Sequence, residues 1–183
     1  MVSEAFEQLD ELGFVVLPDA VPMAFVAALN DRINRLFDEE GQQAGAEFKQ
    51  EPGCRRLANL VNKGDVFASV VADERVLKYV AHVLGDVKLS SLNVRSVDPG
   101  SGVRQPLHAD MAAVPDAQGY WVCNAVWMLQ DITLENGPLR VIPGSHRFGK
   151  LPQESLDDPI ADHVDQVLVT GTAGTVVVLN AHT

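Results

Sequence analysis

The chain has 183 residues, of which 46% are hydrophobic, and its 14 basic and 25 acidic side chains give a net charge of −11. This length suits one domain, 1–183, with a mainly helical flank over 1–87 and a β-rich core over 88–183. The acidic balance disfavours nucleic acid and membrane surfaces as partners, and no apolar run approaches the roughly 20 residues of a membrane-spanning helix, so we expect a cytoplasmic protein.

The first third of the chain has mainly helical periodicity. A short strand is predicted at 14–17, and a helix follows in which apolar residues recur at three- and four-residue steps: Phe25, Leu29, Ile33 and Leu36. A second helix is predicted over 73–84, with Gly85 as its stop. The polar stretch 44–62 between these helices contains a Pro-Gly pair and is predicted to be a loop.

From residue 88 onward, short β-branched runs alternate with Gly, Pro, Asn and Asp, which is typical of an antiparallel sandwich or barrel. The predicted strands are 89–97, 106–110, 120–129, 139–142, 166–170 and 175–180. Helices followed by strands, without strict alternation, indicate an α+β fold. The strand spacing favours a double-stranded β-helix, or jelly roll, with N-terminal flanking helices.

The segment Gln-Pro-Leu-His-Ala-Asp at 105–110 contains the residues most suited to metal chemistry. On an extended strand, His108 and Asp110 would point to the same side, because side chains alternate between faces. An imidazole and a carboxylate placed in this way supply two of the three ligands that non-haem iron(II) oxygenases use. A His-x-Asp triplet also occurs by chance in many chains, so the pair alone is weak evidence.

Four stretches together give this pair a context: Leu-Gly-Phe-Val-Val-Leu-Pro at 12–18, Val-Asp-Pro-Gly-Ser-Gly at 97–102, the 105–110 segment, and Glu-Asn-Gly-Pro-Leu-Arg-Val-Ile-Pro-Gly-Ser-His at 135–146. In order and spacing the chain resembles the phytanoyl-CoA dioxygenase family over nearly its whole length. The resemblance implies an Fe(II)- and 2-oxoglutarate-dependent dioxygenase that hydroxylates a small organic substrate with dioxygen, with His108 and Asp110 as iron ligands. Halogenases of this family have a small residue in place of the acidic ligand, so Asp110 favours hydroxylation.

The resemblance also implies contacts to 2-oxoglutarate from Asn93 and Arg56. Asn93 could equally make a cross-strand hydrogen bond, and Arg56 could be a surface cation. Asn136-Gly137 is a strong tight-turn pair and is predicted to reverse the chain between strands 120–129 and 139–142. His146, which follows the second of these strands, is predicted to be structural.

The family has a second iron-binding histidine that aligns about two residues beyond Thr183, and an arginine for the distal carboxylate of 2-oxoglutarate further on. His182 lies upstream of the expected position and is at best a weak substitute. Strand 175–180 is the strongest β run, and without a returning partner it would leave an exposed sheet edge. We therefore expect a fragment that lacks the last strands of the roll.

Three functions remain open at this stage. The first is the iron- and 2-oxoglutarate-dependent hydroxylase. The second is a non-catalytic jelly-roll binding module, or an inactive fragment without a complete iron site. The third is a cupin-like metal enzyme that uses no oxo-acid. The sequence does not define the primary substrate.

Overall fold

The computed structural model of the chain describes residues 2–48 and 51–183. The helices are α1 (Val2–Leu12), α2 (Met23–Glu40), α3 (Asp65–Val71) and α4 (Glu74–Leu84). The strands are β1 (Phe14–Leu17), β2 (Cys54–Leu57), β3 (Val94–Val97), β4 (Cys123–Trp127), β5 (Leu139–Val141), β6 (Val167–Val169) and β7 (Val176–Asn180). None of the helices in the described part of the chain is both long enough and apolar enough to cross a bilayer.

These elements form two compact units, which are described separately. The first unit comprises the chain up to Ala20 together with Glu74–Val87 and Gln105–Thr183. The second comprises Val21–Asp73 and Lys88–Arg104. The expectation of one domain over 1–183 stays a prediction.

The first unit is built on an antiparallel sheet with the strand order β1-β7-β4. Phe14 pairs with Leu179 on one side of β7, and Asn124 pairs with the same residue on the other side. Every residue of β7 is buried. The prediction that this strand would present an exposed edge is therefore wrong, because β7 is paired with β1 on one side and with β4 on the other.

A second, two-stranded sheet of β5 and β6 completes the core of this unit. Buried side chains from both sheets form one apolar cluster: Phe14, Met128, Val141, Val169, Val177 and Leu179. Burial of apolar surface between two sheets is what stabilises a β-sandwich. Helices α1 and α4 also pack against the three-stranded sheet.

Asn136-Gly137 does not form a hairpin turn between neighbouring strands, as the sequence had suggested. Strand β4 pairs with β7 and β5 pairs with β6, so the connection between β4 and β5 passes from one sheet to the other. The Asn136 side chain instead stabilises the loop, since its Oδ1 accepts a hydrogen bond from Thr133 N and its Nδ2 donates to Asp131 O. Gly137 has a φ of +98°, which glycine tolerates best.

The second unit contains α2, whose predicted amphipathic face is largely confirmed. Its buried side chains are Val26, Leu29, Ile33 and Leu36, while Phe25 is only partly buried. The stretch 44–62, predicted to be a loop, contains β2, which pairs antiparallel with β3. The prediction failed because this pairing joins segments about 40 residues apart and leaves no local periodicity.

Candidate metal centre

His108 and Asp110 lie side by side in the first unit. The distance from His108 Nε2 to Asp110 Oδ1 is 3.2 Å, and the two side chains keep 42% and 38% of their surface exposed. An imidazole nitrogen and a carboxylate oxygen thus face the same point in space, and that point can be reached from solvent.

The His108 ring is fixed by a hydrogen bond from its second nitrogen. Nδ1 lies 2.8 Å from the carbonyl oxygen of Pro106. Because a carbonyl only accepts, Nδ1 is the donor, and in the neutral ring Nε2 then carries the lone pair. Metal-binding histidines typically donate their other N–H in this way, which fixes both the tautomer and the orientation of the ring.

Asp110 is anchored through both its backbone and its side chain. Its N–H donates to Ala181 O at 2.9 Å, just beyond β7. Its Oδ2 accepts a hydrogen bond from Asn124 Nδ2 of β4, so Oδ1 is left to face His108.

The backbone turns sharply after Asp110. Met111 and Ala112 have φ values of 55° and 52°, a region that non-glycine residues seldom occupy. Each such residue stores about 1–3 kcal/mol of strain, which persists only where the surroundings enforce it. The Met111 side chain within this turn is exposed.

The predicted strand at 106–110 is not present. Leu107 N donates to Pro159 O at 2.8 Å and Asp110 N to Ala181 O, so the segment bonds to two separate loops rather than to one partner strand. Pro106 lacks an N–H, which removes a donor that a regular ladder would need. His108 and Asp110 therefore converge through these individual anchors and not through strand alternation.

Arg140 of β5 organises the loops around this segment. Its guanidinium donates to Gln105 O and Ile160 O, each at 3.2 Å, and also to Ala161 O. Its Nε donates to Gln166 Oε1 at 3.0 Å. One cation thus holds the start of the His-x-Asp segment to the loop whose Pro159 carbonyl receives the Leu107 amide.

The pair fits a divalent transition metal as two of its ligands. A separation of 3.2 Å suits two donors at neighbouring positions around one ion, each about 2.1 Å from it. Imidazole and carboxylate together are the donor types of non-haem iron sites. Within residues 2–48 and 51–183, no group of three His, Cys, Asp or Glu side chains could hold a metal.

His182 accordingly does not complete a three-ligand site with this pair. It is 6% exposed, and its Nδ1 lies 2.8 Å from Asn180 Oδ1. The rings of Tyr120 and Trp121 pack against it at centroid distances of 5.2 and 5.8 Å. Burial lowers the pKa of His182, because desolvation disfavours the protonated ring.

His146 has the structural environment that its sequence context predicted. It is 2% exposed and lies in the short helical turn after β5, with Nε2 3.1 Å from Asp10 O at the end of α1. Its partner is thus a distant backbone carbonyl rather than its own turn. Desolvation by burial lowers the pKa of this imidazole as well.

The two residues predicted to contact 2-oxoglutarate belong to the second unit. Arg56 Nη1 forms an ion pair with Glu51 Oε1 at 3.1 Å, and its guanidinium lies 3.9 Å from the Phe48 ring centroid. Asn93 Nδ2 donates to Ser91 Oγ at 3.1 Å. Both have local partners of their own, and their assignment to the co-substrate stays a prediction.

Sequence reasoning missed Asn124 and Arg140. Asn124 is the one polar residue in the otherwise apolar run 121–129. A polar group on such a strand needs a hydrogen-bonding partner. That signal was available. Arg140 lies within the recognised 135–146 motif, but nothing local indicated which carbonyls it binds.

The match to a family model settles the class of protein. The phytanoyl-CoA dioxygenase (PhyH) model matches residues 9–183, and the chain belongs to this family. The family expected from the motifs is therefore confirmed.

Individual proteins with known names also match the chain. The ectoine dioxygenase of Stutzerimonas stutzeri is 27% identical over 157 residues, which cover 80% of this chain and 51% of that protein. The dioxygenase af480 of Aspergillus fumigatus is 25% identical and matches 98% of this chain and 59% of its own length. The chain thus spans about half the length of the curated relatives it matches.

Solved structures confirm the α+β jelly-roll fold. The non-haem α-ketoglutarate-dependent epimerase SnoN from nogalamycin biosynthesis superposes with a TM-score of 0.76 at 18% identity, covering 99% of this chain and 74% of that one. HygX from Streptomyces hygroscopicus, crystallised with nickel and 2-oxoglutarate, gives a TM-score of 0.71 at 19% identity, with 100% and 78% coverage. At these identities the likeness concerns the fold alone.

Proposed function

We propose that this chain carries two of the iron ligands of an Fe(II)- and 2-oxoglutarate-dependent dioxygenase that hydroxylates a small organic substrate. The observation that carries the proposal is the 3.2 Å approach of His108 Nε2 to Asp110 Oδ1, with the His108 ring oriented by the hydrogen bond from Nδ1 to Pro106 O. Family membership supports it, and HygX, with the same fold, was crystallised with nickel and 2-oxoglutarate.

In this function His108 and Asp110 hold the metal and do not transfer protons. Bound iron with 2-oxoglutarate and dioxygen would supply the oxidising chemistry, which couples decarboxylation of the oxo-acid to insertion of oxygen into a C–H bond. The protein contributes fixed ligand positions and an open approach to them. Asp110 supplies the acidic ligand that favours hydroxylation over halogenation.

The charge of the chain bears on its substrate. A net charge of −11 disfavours polyanions such as acyl-CoA thioesters through long-range repulsion. A small neutral or cationic organic molecule is therefore the substrate class we propose. Arg56 and Asn93 remain proposed contacts for 2-oxoglutarate.

A second candidate is a non-catalytic jelly-roll binding module. It is favoured by one observation: the described residues offer no third ligand beside His108 and Asp110. Because two protein ligands hold iron weakly, we expect weak Fe(II) binding and little succinate formation from residues 1–183.

The two candidates are separated by anaerobic titration with Fe(II) at saturating 2-oxoglutarate, followed through the weak visible charge-transfer band of the chelate. We expect the band with the unmodified chain and its loss in His108→Ala and Asp110→Ala. His163→Ala, which removes a histidine whose Nδ1 accepts a hydrogen bond from Asp165 N in its own loop, is the matched control and should keep the band. A band that persists in both ligand variants would refute the iron site, and no band in any protein would favour the binding module.

A further inference from the structure

Asn124 contacts Asp110 on the side away from His108. Its Nδ2 donates to Asp110 Oδ2, while Asp110 Oδ1 lies 3.2 Å from His108 Nε2. The two oxygens of the Asp110 carboxylate thus have different partners. We infer that Asn124 is a positioning residue, which holds the Asp110 carboxylate so that a single oxygen is presented to a divalent metal; this inference rests on the proposed function.

The position of Asn124 in the fold suits this role. It lies on β4, which pairs with the fully buried β7 along its whole length, from Cys123↔Asn180 to Trp127↔Val176. Asp110, in contrast, lies in no strand and begins a strained turn. The rigid sheet thus holds a carboxylate whose own backbone segment lacks a regular ladder.

The surroundings of Asn124 make a general solubility role for the amide a poor explanation. Directly paired residues of antiparallel strands share a face, and Asn124 is paired with Leu179 of the apolar cluster. A half-buried amide at the edge of an apolar face is unfavourable unless it is hydrogen-bonded. Its bond is made to a charged acceptor, and such bonds are shorter and stronger than those between neutral groups.

The Asp110 backbone is anchored at the same end of β7, where Asn124 pairs with Leu179. Asp110 N donates to Ala181 O, and Ala181 N donates to Val122 O, one residue before β4 begins. Backbone and side chain of Asp110 are therefore both tied to neighbouring parts of the β4–β7 pair. Removing the amide frees rotation of the carboxylate while the main-chain anchor stays in place.

The test uses Co(II) as the probe and the near-isosteric substitution Asn124→Leu, which removes the donor but keeps the volume. We expect the Co(II) dissociation constant to rise about 10- to 100-fold, the range usual for loss of a group that orients a metal ligand. Asn124→Gln keeps an amide and should recover part of the affinity. Asn62→Leu, at an exposed asparagine, is the matched control and should bind as the unmodified chain does.

Thermal unfolding with and without Co(II) separates positioning from a purely structural role. A structural role would lower the unfolding temperature equally in both conditions, whereas a positioning role removes the Co(II)-dependent rise in Asn124→Leu. An unchanged Co(II) affinity in Asn124→Leu overturns the inference. If the substitution prevents folding, Asn124→Ala replaces it in the same comparison.

A metal-free measurement keeps this inference distinct from the proposed function. If the unmodified chain binds no Co(II), the proposed function fails. Urea unfolding of Asn124→Ala, Asp110→Ala and the double variant in EDTA then tests whether the two side chains interact. Midpoint shifts that are not additive show that the two side chains are coupled. Additive shifts overturn the role assigned to Asn124.

Discussion

Replacing Arg140 by methionine tests whether one guanidinium organises the loops around the metal ligands. The substitution keeps most of the aliphatic length but removes four hydrogen bonds, to Gln105 O, Ile160 O, Ala161 O and Gln166 Oε1. Bonds from a charged donor contribute about 1.5–3 kcal/mol when buried, and partial exposure of Arg140 reduces each to about 0.5–1 kcal/mol. For four such bonds we therefore expect a loss of about 2–4 kcal/mol in the free energy of unfolding.

Urea unfolding followed by circular dichroism measures this loss, which corresponds to a midpoint shift of about 1–2 M for a slope of about 2 kcal/mol per M. Arg147→Met is the matched control, since among the described residues Arg147 Nη2 donates to one backbone carbonyl, Glu11 O, at 2.9 Å. Its effect should stay near 0.5 kcal/mol. Equal losses in the two variants would show that Arg140 is an ordinary surface cation, and the account of how segment 105–110 is held would fail.

Three further predictions concern burial. Val177→Ala, at a side chain with 0% exposure, should cost about 2 kcal/mol in urea unfolding, whereas Val164→Ala, at 93% exposure, should change stability by less than about 0.5 kcal/mol; similar effects would contradict the assigned core. Burial lowers the pKa of His146 from its ordinary 6.5, so as the pH falls the unfolded chain binds a proton before the folded chain does. The free energy of unfolding is therefore highest above about pH 6.5 and decreases as the pH drops through the folded pKa. Unfolding at pH 7.5 and 5.5 should show this loss reduced in His146→Gln, and an unchanged pH dependence would contradict it. Burial raises the pKa of the Cys123 thiol to about 12, so alkylation at pH 8 followed by mass spectrometry should label Cys54 before Cys123; faster labelling of Cys123 would contradict this order.

Local patterns were enough to predict the elements that carry their own periodicity. Strand β1 was predicted at its observed bounds, α4 and β7 were predicted within one residue, and the apolar repeat predicted for α2 lies within the observed helix. In each case the deciding signal lies within the element, as a three-to-four residue repeat, a β-branched run or a flanking glycine. Such signals do not require knowledge of a distant partner.

Errors arose where a distant partner decides the structure. The pairing of β1 with β7 joins the two ends of the chain and turns a predicted free edge into the centre of the sheet. The pairing of β2 with β3 makes a strand out of a polar stretch. Asn136-Gly137 is a turn signal of the right local type, yet the strands that flank it belong to different sheets. Sequence adjacency cannot report these pairings.

The candidate site contains both a correct and an incorrect prediction within the segment 106–110. The spacing of His108 and Asp110 predicted that they would converge, and they do, but the strand invoked to explain it is absent. Convergence depends instead on the Pro106, Pro159 and Ala181 carbonyls and on the Asn124 amide. A two-residue spacing fixes how far apart two side chains can lie, whereas the anchors fix where they point. If that is correct, substitutions at Asn124 or Arg140 should weaken metal binding although neither residue is a ligand.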